Sequence, residues 1–314
     1  MRRRRLLGLA IVMSFALLAT GCTIDDFFSG FPGLIVVPTP GGGIEIRPGD
    51  GATDPGEPGD PSDPSDPSEP DPSDPDPGQD PDPGADPWTI ETGWIRADSS
   101  RFKTPYYVIT AAEPGPTLFI VGGTHGNEPA GYTAAQRIVD ELRPDKGRIV
   151  VIPRANAAAV AAGTRGVSDL PDLARRFTLG GAPVGKTANE IWDLILEYEP
   201  DWFLDLHEGY DFYIKNKNSV GQSVIYYPTG RAYSDARALV DYLNGMPAVR
   251  NGRTERFTLI RNPISGSMAR KVGQDLGIPA ATIETCLKDP LERRVGFHMY
   301  AVRFIAAQLG MTLQ

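Results

Sequence analysis

Apolar residues fall along this chain in two rhythms. Eight apolar-rich runs are candidate strands, at residues 88–97, 105–113, 117–123, 147–156, 202–209, 223–229, 257–262 and 279–286. Set between Gly, Pro and Asn, they read as strands, and several are short and almost wholly apolar, as strands covered on both faces must be. Between them apolar residues recur at helical spacing. Pro129 takes a first helical position, where its missing N–H costs no hydrogen bond, and Ala134, Ala135, Ile138, Val139 and Leu142 form one apolar face behind it. Ser234 or Asp235 is expected to cap a helix running through Leu239, Val240 and Leu243 to Gly245. Ser267 opens another, and residues 291–310 close the chain as a long amphipathic helix. Strands alternating with such helices predict an α/β fold: a three-layer α/β/α sandwich around a mixed sheet of about eight strands, filling one catalytic-size domain over residues 88–314.

Upstream of residue 88 that rhythm is lost. Four arginines, Arg2 to Arg5, precede an apolar stretch from Leu6 to Leu18, then Ala19, Thr20, Gly21 and Cys22. The stretch is shorter than the roughly 20 apolar residues that span a bilayer, and its basic start and small-residue end read as a signal peptide over residues 1–21. A cysteine directly after those small residues resembles a bacterial lipobox, so Cys22 is the expected lipidation site and the chain an extracytoplasmic, membrane-anchored lipoprotein of the bacterial cell envelope. Residues 22–48 are the expected tether. Residues 49–87, rich in Asp-Pro, hold thirteen acidic side chains and no basic one. Such a segment has no core to bury and reads as a disordered, self-repelling stalk reaching on the order of 100 Å.

The stalk also redistributes the charge. The formal net charge of −9 falls on it, because residues 88–314 carry 26 Lys+Arg against 24 Asp+Glu. A near-neutral domain offers no footprint for nucleic acid. With Cys22 acylated, Cys286 has no disulfide partner, and at the end of an apolar run it reads as buried filler.

Candidate chemistry begins with the histidines, of which the chain has three. His125 and His207 each follow an apolar strand, where open α/β sheets place their sites. His125 and Glu128 are three residues apart at the start of a helix, a spacing that lets an imidazole nitrogen and a carboxylate oxygen share one ion. His207 arrives from a second strand. Two histidines and one carboxylate leave a tetrahedral metal a free position, as in catalytic zinc sites. Glu284, at the end of a third apolar strand, is the carboxylate placed to take a proton from water and return it to a leaving amine.

These motifs resemble those of the zinc carboxypeptidase superfamily, in the branch shared by succinylglutamate desuccinylase and aspartoacylase. GGTHGNEPAG (residues 122–131) is similar to the family's His-x-x-Glu loop, DLHEG (205–209) to its second histidine and TIET (282–285) to its catalytic glutamate. The resemblance covers nearly all of residues 105–314. It implies one Zn2+ held by His125, Glu128 and His207, with Glu284 catalytic, on an α/β/α sandwich. It adds two arginines. PRANAAAVAAGTRG (153–166) resembles a segment whose closing arginine, here Arg165, meets the oxyanion, and DLARRFTLG (172–180) one whose arginine, here Arg175, binds the substrate carboxylate. Ala174 stands where the family has asparagine and Thr178 where it has proline, so that pocket is altered. With about thirty residues following Glu284, the further C-terminal domain that narrows aspartoacylase-like sites is not expected in this chain.

The implied activity is cleavage of an amide bond beside a free carboxylate, of the metallocarboxypeptidase type, on extracytoplasmic peptides such as those of peptidoglycan. The alternatives are an N-acyl amino acid deacylase of the desuccinylase type and a non-catalytic binding module on the same fold. One rival motif, GGAPVGKT (180–187), matches a phosphate loop, but ARRFTL before it carries two arginines where a buried strand must stand, so no nucleotide is expected. His298 reads as a core or rim histidine. Tyr210, Tyr213, Tyr226 and Tyr227 cluster near the His207 strand, where aromatics usually pack.

Overall fold

The computed structural model describes residues 34–39, 43–48 and 87–314. The expected signal peptide, Cys22 and all of the stalk except Pro87 lie outside them. Within the expected tether, β1 (Leu34–Thr39) and β2 (Gly43–Pro48) pair antiparallel as a hairpin, a unit by itself.

In the larger unit, all eight apolar runs are strands of one sheet: β3 (Trp88–Ile95), β4 (Thr104–Ala111), β5 (Thr117–Gly122), β6 (Arg148–Ile152), β7 (Trp202–Gly209), β8 (Ser223–Tyr226), β9 (Thr258–Arg261) and β10 (Ala280–Cys286). Their order is β3-β4-β6-β5-β7-β10-β8-β9. The central run β6-β5-β7-β10 is parallel, while β3, β4 and β6 pair antiparallel, as do β10 and β8. The sheet is therefore mixed. Two runs are shorter than their apolar stretches suggest. β6 stops at Ile152 because Pro153 has no N–H to give a ladder, and β8 stops at Tyr226, two residues before Pro228.

Seven α-helices of four residues or more cover this sheet among the described residues: α1 (Pro129–Glu141), α2 (Ala157–Ala162), α3 (Lys186–Tyr198), α4 (Ala232–Gly245), α5 (Pro247–Arg250), α6 (Met268–Lys271) and α7 (Leu291–Gln308). The period of two along each strand sorts the core into two layers. From β5 and β7, Leu118, Ile120, Trp202, Leu204 and Leu206 pack with α1, α4 and α7, whereas Phe119, Val121 and Phe203 pack on the other face with α3 and α6. Phe119 and Phe203 stack there with ring centroids 5.8 Å apart. The three-layer α/β/α sandwich is thus the observed architecture.

Helix starts follow the expected signals with one exception. Pro129 opens α1, and Ser267 caps α6 by accepting from the Arg270 N–H. α4 begins at Ala232, before Ser234 and Asp235, so neither caps it. Asp235 is buried in its first turn and accepts from the Trp202 indole at 2.9 Å, while the Ser234 hydroxyl donates to the Arg231 carbonyl. A tertiary partner has taken the side chain that a cap would use.

Candidate metal centre

β5 ends at Gly122, and Gly123, with φ +67°, turns the chain into the loop that carries His125. Glu128 is the residue before α1, so its carboxylate is fixed by the start of that helix. His207 is the sixth residue of β7. All three are buried, and one donor atom of each lies within 4.8 Å of the others. His125 Nδ1 is 2.7 Å from Glu128 Oε1 and His207 Nδ1 is 2.8 Å from Oε2, with the two rings 4.9 Å apart. The expected ligands therefore converge from two strand ends and one helix start. His125 itself sits in the loop, ahead of the helical turn.

The second nitrogen of each ring also faces a carboxylate. His125 Nε2 lies 3.1 Å from Asp172 Oδ1, and His207 Nε2 lies 3.0 Å from Asp205 Oδ1. A carboxylate behind each imidazole orients the ring and raises its basicity, leaving Nδ1 to point inward, which is the support that ligating histidines need. Two nitrogens and one carboxylate with this backing fit a divalent cation such as zinc.

Electrostatics divide the acidic groups. Burial opposes ionisation of Glu128, but the flanking histidines outweigh it and hold its pKa well below the ordinary carboxylate value. Burial likewise works against charge on His207, yet Asp205 and Glu128 push its pKa well above that of a free imidazole. For Asp172, His125 and Arg165 overcome burial and lower the pKa.

Glu284 stands on β10 as the Cα partner of His207, on the same face of adjacent parallel strands. It is buried and its Oε2 has no hydrogen-bond partner. Burial, reinforced by Glu128, Asp205 and Glu208 against the opposing influence of His207, pushes its pKa up to about 8. A carboxyl poised near neutrality beside a metal site is suited to proton transfer.

Arg165 joins this cluster. Half-exposed, it bonds Asp172 through Nε at 3.2 Å and Nη2 at 3.0 Å, and its Nη1 lies 3.6 Å from Glu128 Oε1. Arg175 makes none of these contacts: it is exposed at the end of the 3-10 turn Leu173–Arg175, with its guanidinium on the Ala174 carbonyl. The sequence reading missed Asp172, Asp205 and Glu208. Asp205 had a usable signal, since two residues along a strand returns to the same face as His207.

The remaining candidates divide between packing and surface. His298 is wholly buried, its Nε2 3.2 Å from the Thr285 hydroxyl, and is a core rather than a rim residue. Tyr226 packs on Tyr233 and Tyr227 lies under Arg270, whereas Tyr210 is exposed. Residues 180–187 follow turn and coil, Lys186 pairs with Asp98 at 2.8 Å, and the Thr187 hydroxyl accepts from Arg96, so the strand that a phosphate loop requires is missing.

Residues 114–248 match the family model of the succinylglutamate desuccinylase/aspartoacylase catalytic domain. A stretch of 111 residues is 37% identical to the N-alpha-acetyl-L-2,4-diaminobutyric acid deacetylase of Halomonas elongata, covering 33% of this chain and 32% of that protein. The chain thus spans about a third of the length of that curated relative. Among solved structures, the D,L-carboxypeptidase Csd4 of Helicobacter pylori in its mDAP-bound form is similar with a TM-score of 0.52 and 19% identity, over 64% of this chain and 52% of Csd4. A protein from Shewanella baltica described as a candidate metallopeptidase is similar with a TM-score of 0.55 and 20% identity, over 70% of this chain and 86% of its own. At those identities the two structures share the fold.

Proposed function

We propose that this chain is a zinc-dependent hydrolase of the succinylglutamate desuccinylase/aspartoacylase type, a reading supported by the match of residues 114–248 to that family's catalytic-domain model. In this reading it cleaves an amide bond beside a free carboxylate, as a metallocarboxypeptidase acting on extracytoplasmic peptides. The observation that carries the reading is the buried convergence of His125, Glu128 and His207 with Glu284 in register beside His207. Bound there, zinc would polarise the scissile carbonyl and acidify a water to near neutrality.

The chain's own groups do the rest. Glu284, with an unpartnered oxygen, accepts the proton of the attacking water and returns it to the leaving amine. Arg165, held by Asp172, presents its guanidinium to the oxygen that becomes an oxyanion. Arg175, solvent-facing three residues beyond Asp172, receives the substrate carboxylate after its guanidinium leaves the Ala174 carbonyl.

The envelope location rests on the signal-peptide pattern, Cys22 and the acidic stalk, and a peptidoglycan stem peptide is the substrate that such an anchor brings within reach. The second reading, an N-acyl amino acid deacylase, is favoured by the 37% identity to a deacetylase. Purified full-length chain, given zinc, is to be assayed against muropeptides and against N-acyl amino acids. Release of an amino acid from muropeptides supports the first reading, and release of acyl groups alone selects the second. If neither substrate turns over while zinc-independent ligand binding is seen, the chain is a binding module and the hydrolase reading fails.

A further inference from the structure

Glu128 precedes α1, at the position where a side chain normally caps the first free N–H groups of a helix, yet its carboxylate makes no such bond. Both of its oxygens are turned to the histidines. A different residue serves the helix. Glu208 Oε2 accepts the N–H of Ala130, in the first turn of α1, at 2.7 Å. The backbone N–H of Glu208 meanwhile donates to Glu128 Oε2 at 3.0 Å.

Glu208 is itself braced. Strand alternation places His207 and Glu284 on one sheet face and their neighbours Glu208 and Thr285, also Cα partners, on the other. There Arg294 of α7 donates to Glu208 Oε1 and to the Asp289 carbonyl, and the Thr285 hydroxyl reaches Oε1 at 3.4 Å. The Glu208 and Arg294 side chains are nearly inaccessible to solvent. A buried ion pair rarely stabilises a fold more than apolar residues of equal volume, so stability alone does not explain its presence.

We propose that Glu208 is the positioning residue of the metal centre: it caps α1 in place of Glu128 and so frees the Glu128 carboxylate for the ion. The inference rests on the metallohydrolase reading. Two variants separate positioning from mere support. Glu208→Asp keeps the charge opposite Arg294 but draws the carboxylate one methylene away from Ala130. Glu208→Gln keeps an oxygen at full reach but leaves Arg294 facing a neutral group.

Zinc affinity of the full chain, by competition with a chromophoric chelator, is to be compared with thermal unfolding of the zinc-free protein. Positioning predicts opposite orders. Affinity falls about 10-fold or more in E208D and less than about threefold in E208Q, although E208Q unfolds at the lower temperature. E208D binding zinc as tightly as wild type, or binding it more tightly than E208Q, overturns the proposal, and E208D carries the test alone if E208Q does not fold. A wild-type chain that takes up no zinc overturns the metallohydrolase reading instead.

Discussion

Two buried carboxylates at this centre are driven in opposite directions. Burial raises the pKa of both, but Glu128 is sandwiched by histidines and stays ionised, while Glu284, beside Glu128, Asp205 and Glu208, is pushed to about 8. The proposed roles follow that division, Glu128 as a ligand and Glu284 as a proton carrier. Glu284→Gln is expected to leave zinc affinity unchanged and to lower kcat by about 10² to 10⁴, read from a zinc titration beside steady-state rates. A loss of zinc binding would make Glu284 a ligand. His298 gives a pH effect: burial first, then the nearby charges of His207 and Arg294, lower its pKa from 6.5 to about 3. It is neutral when folded and takes up a proton on unfolding, so its contribution is complete above pH 6.5 and is lost as pH falls towards 3. In zinc-free protein, His298→Gln is expected to flatten the fall of stability between pH 6 and pH 4 by about 1.4 kcal/mol per pH unit, measured by urea unfolding. Equal slopes would count against it. The residues with an intrinsic signal, His125, Glu128, His207 and Glu284, were legible because each ends an apolar run or opens a helix. Asp172 and Glu208 were not, because their roles come from partners 47 and 78 residues away in the chain.

At the scale of elements, the site depends on how closely α1 lies on β7. A Cβ on Gly131 would stand 2.3 Å from the Leu206 carbonyl oxygen, so that glycine lets the helix seat against the strand that carries His207. Gly131→Ala would gain about 1 kcal/mol of helix propensity. Overpacking against backbone costs about 1–3 kcal/mol and shifts the helix that begins next to Glu128. The expected result is a lower melting temperature together with weaker zinc binding, both read from thermal unfolding with and without the metal. A rise in melting temperature would show that the contact is slack. The central strands β5, β7 and β10 were readable from apolar runs because both of their faces are covered, whereas the edge strands, β3 largely open to solvent and β9 only partly buried, carry a weaker signal. The ends that shifted, at Pro153 and at Asp235, were set by a missing N–H and by a tertiary hydrogen bond to Trp202, neither of which is a property of hydrophobic pattern.

In the larger unit, the two core layers, Trp202 and Leu204 on one side and Phe119 and Phe203 on the other, clamp the parallel strands beside which the candidate ligands gather. A metal that binds the folded state alone stabilises it by about 2.7 kcal/mol at a free concentration of 100 times its Kd. For a domain of this size that is a rise of roughly 5–10 °C in melting temperature, reversed by a chelator. No change on adding zinc would mean that the folded state does not bind it. The most direct measurement is anomalous diffraction at the zinc edge from zinc-soaked crystals of the chain. The account predicts a single peak within about 2.0–2.2 Å of Nδ1 of both His125 and His207 and of a Glu128 oxygen. A map with no peak among those three residues, or with zinc held elsewhere, would contradict it.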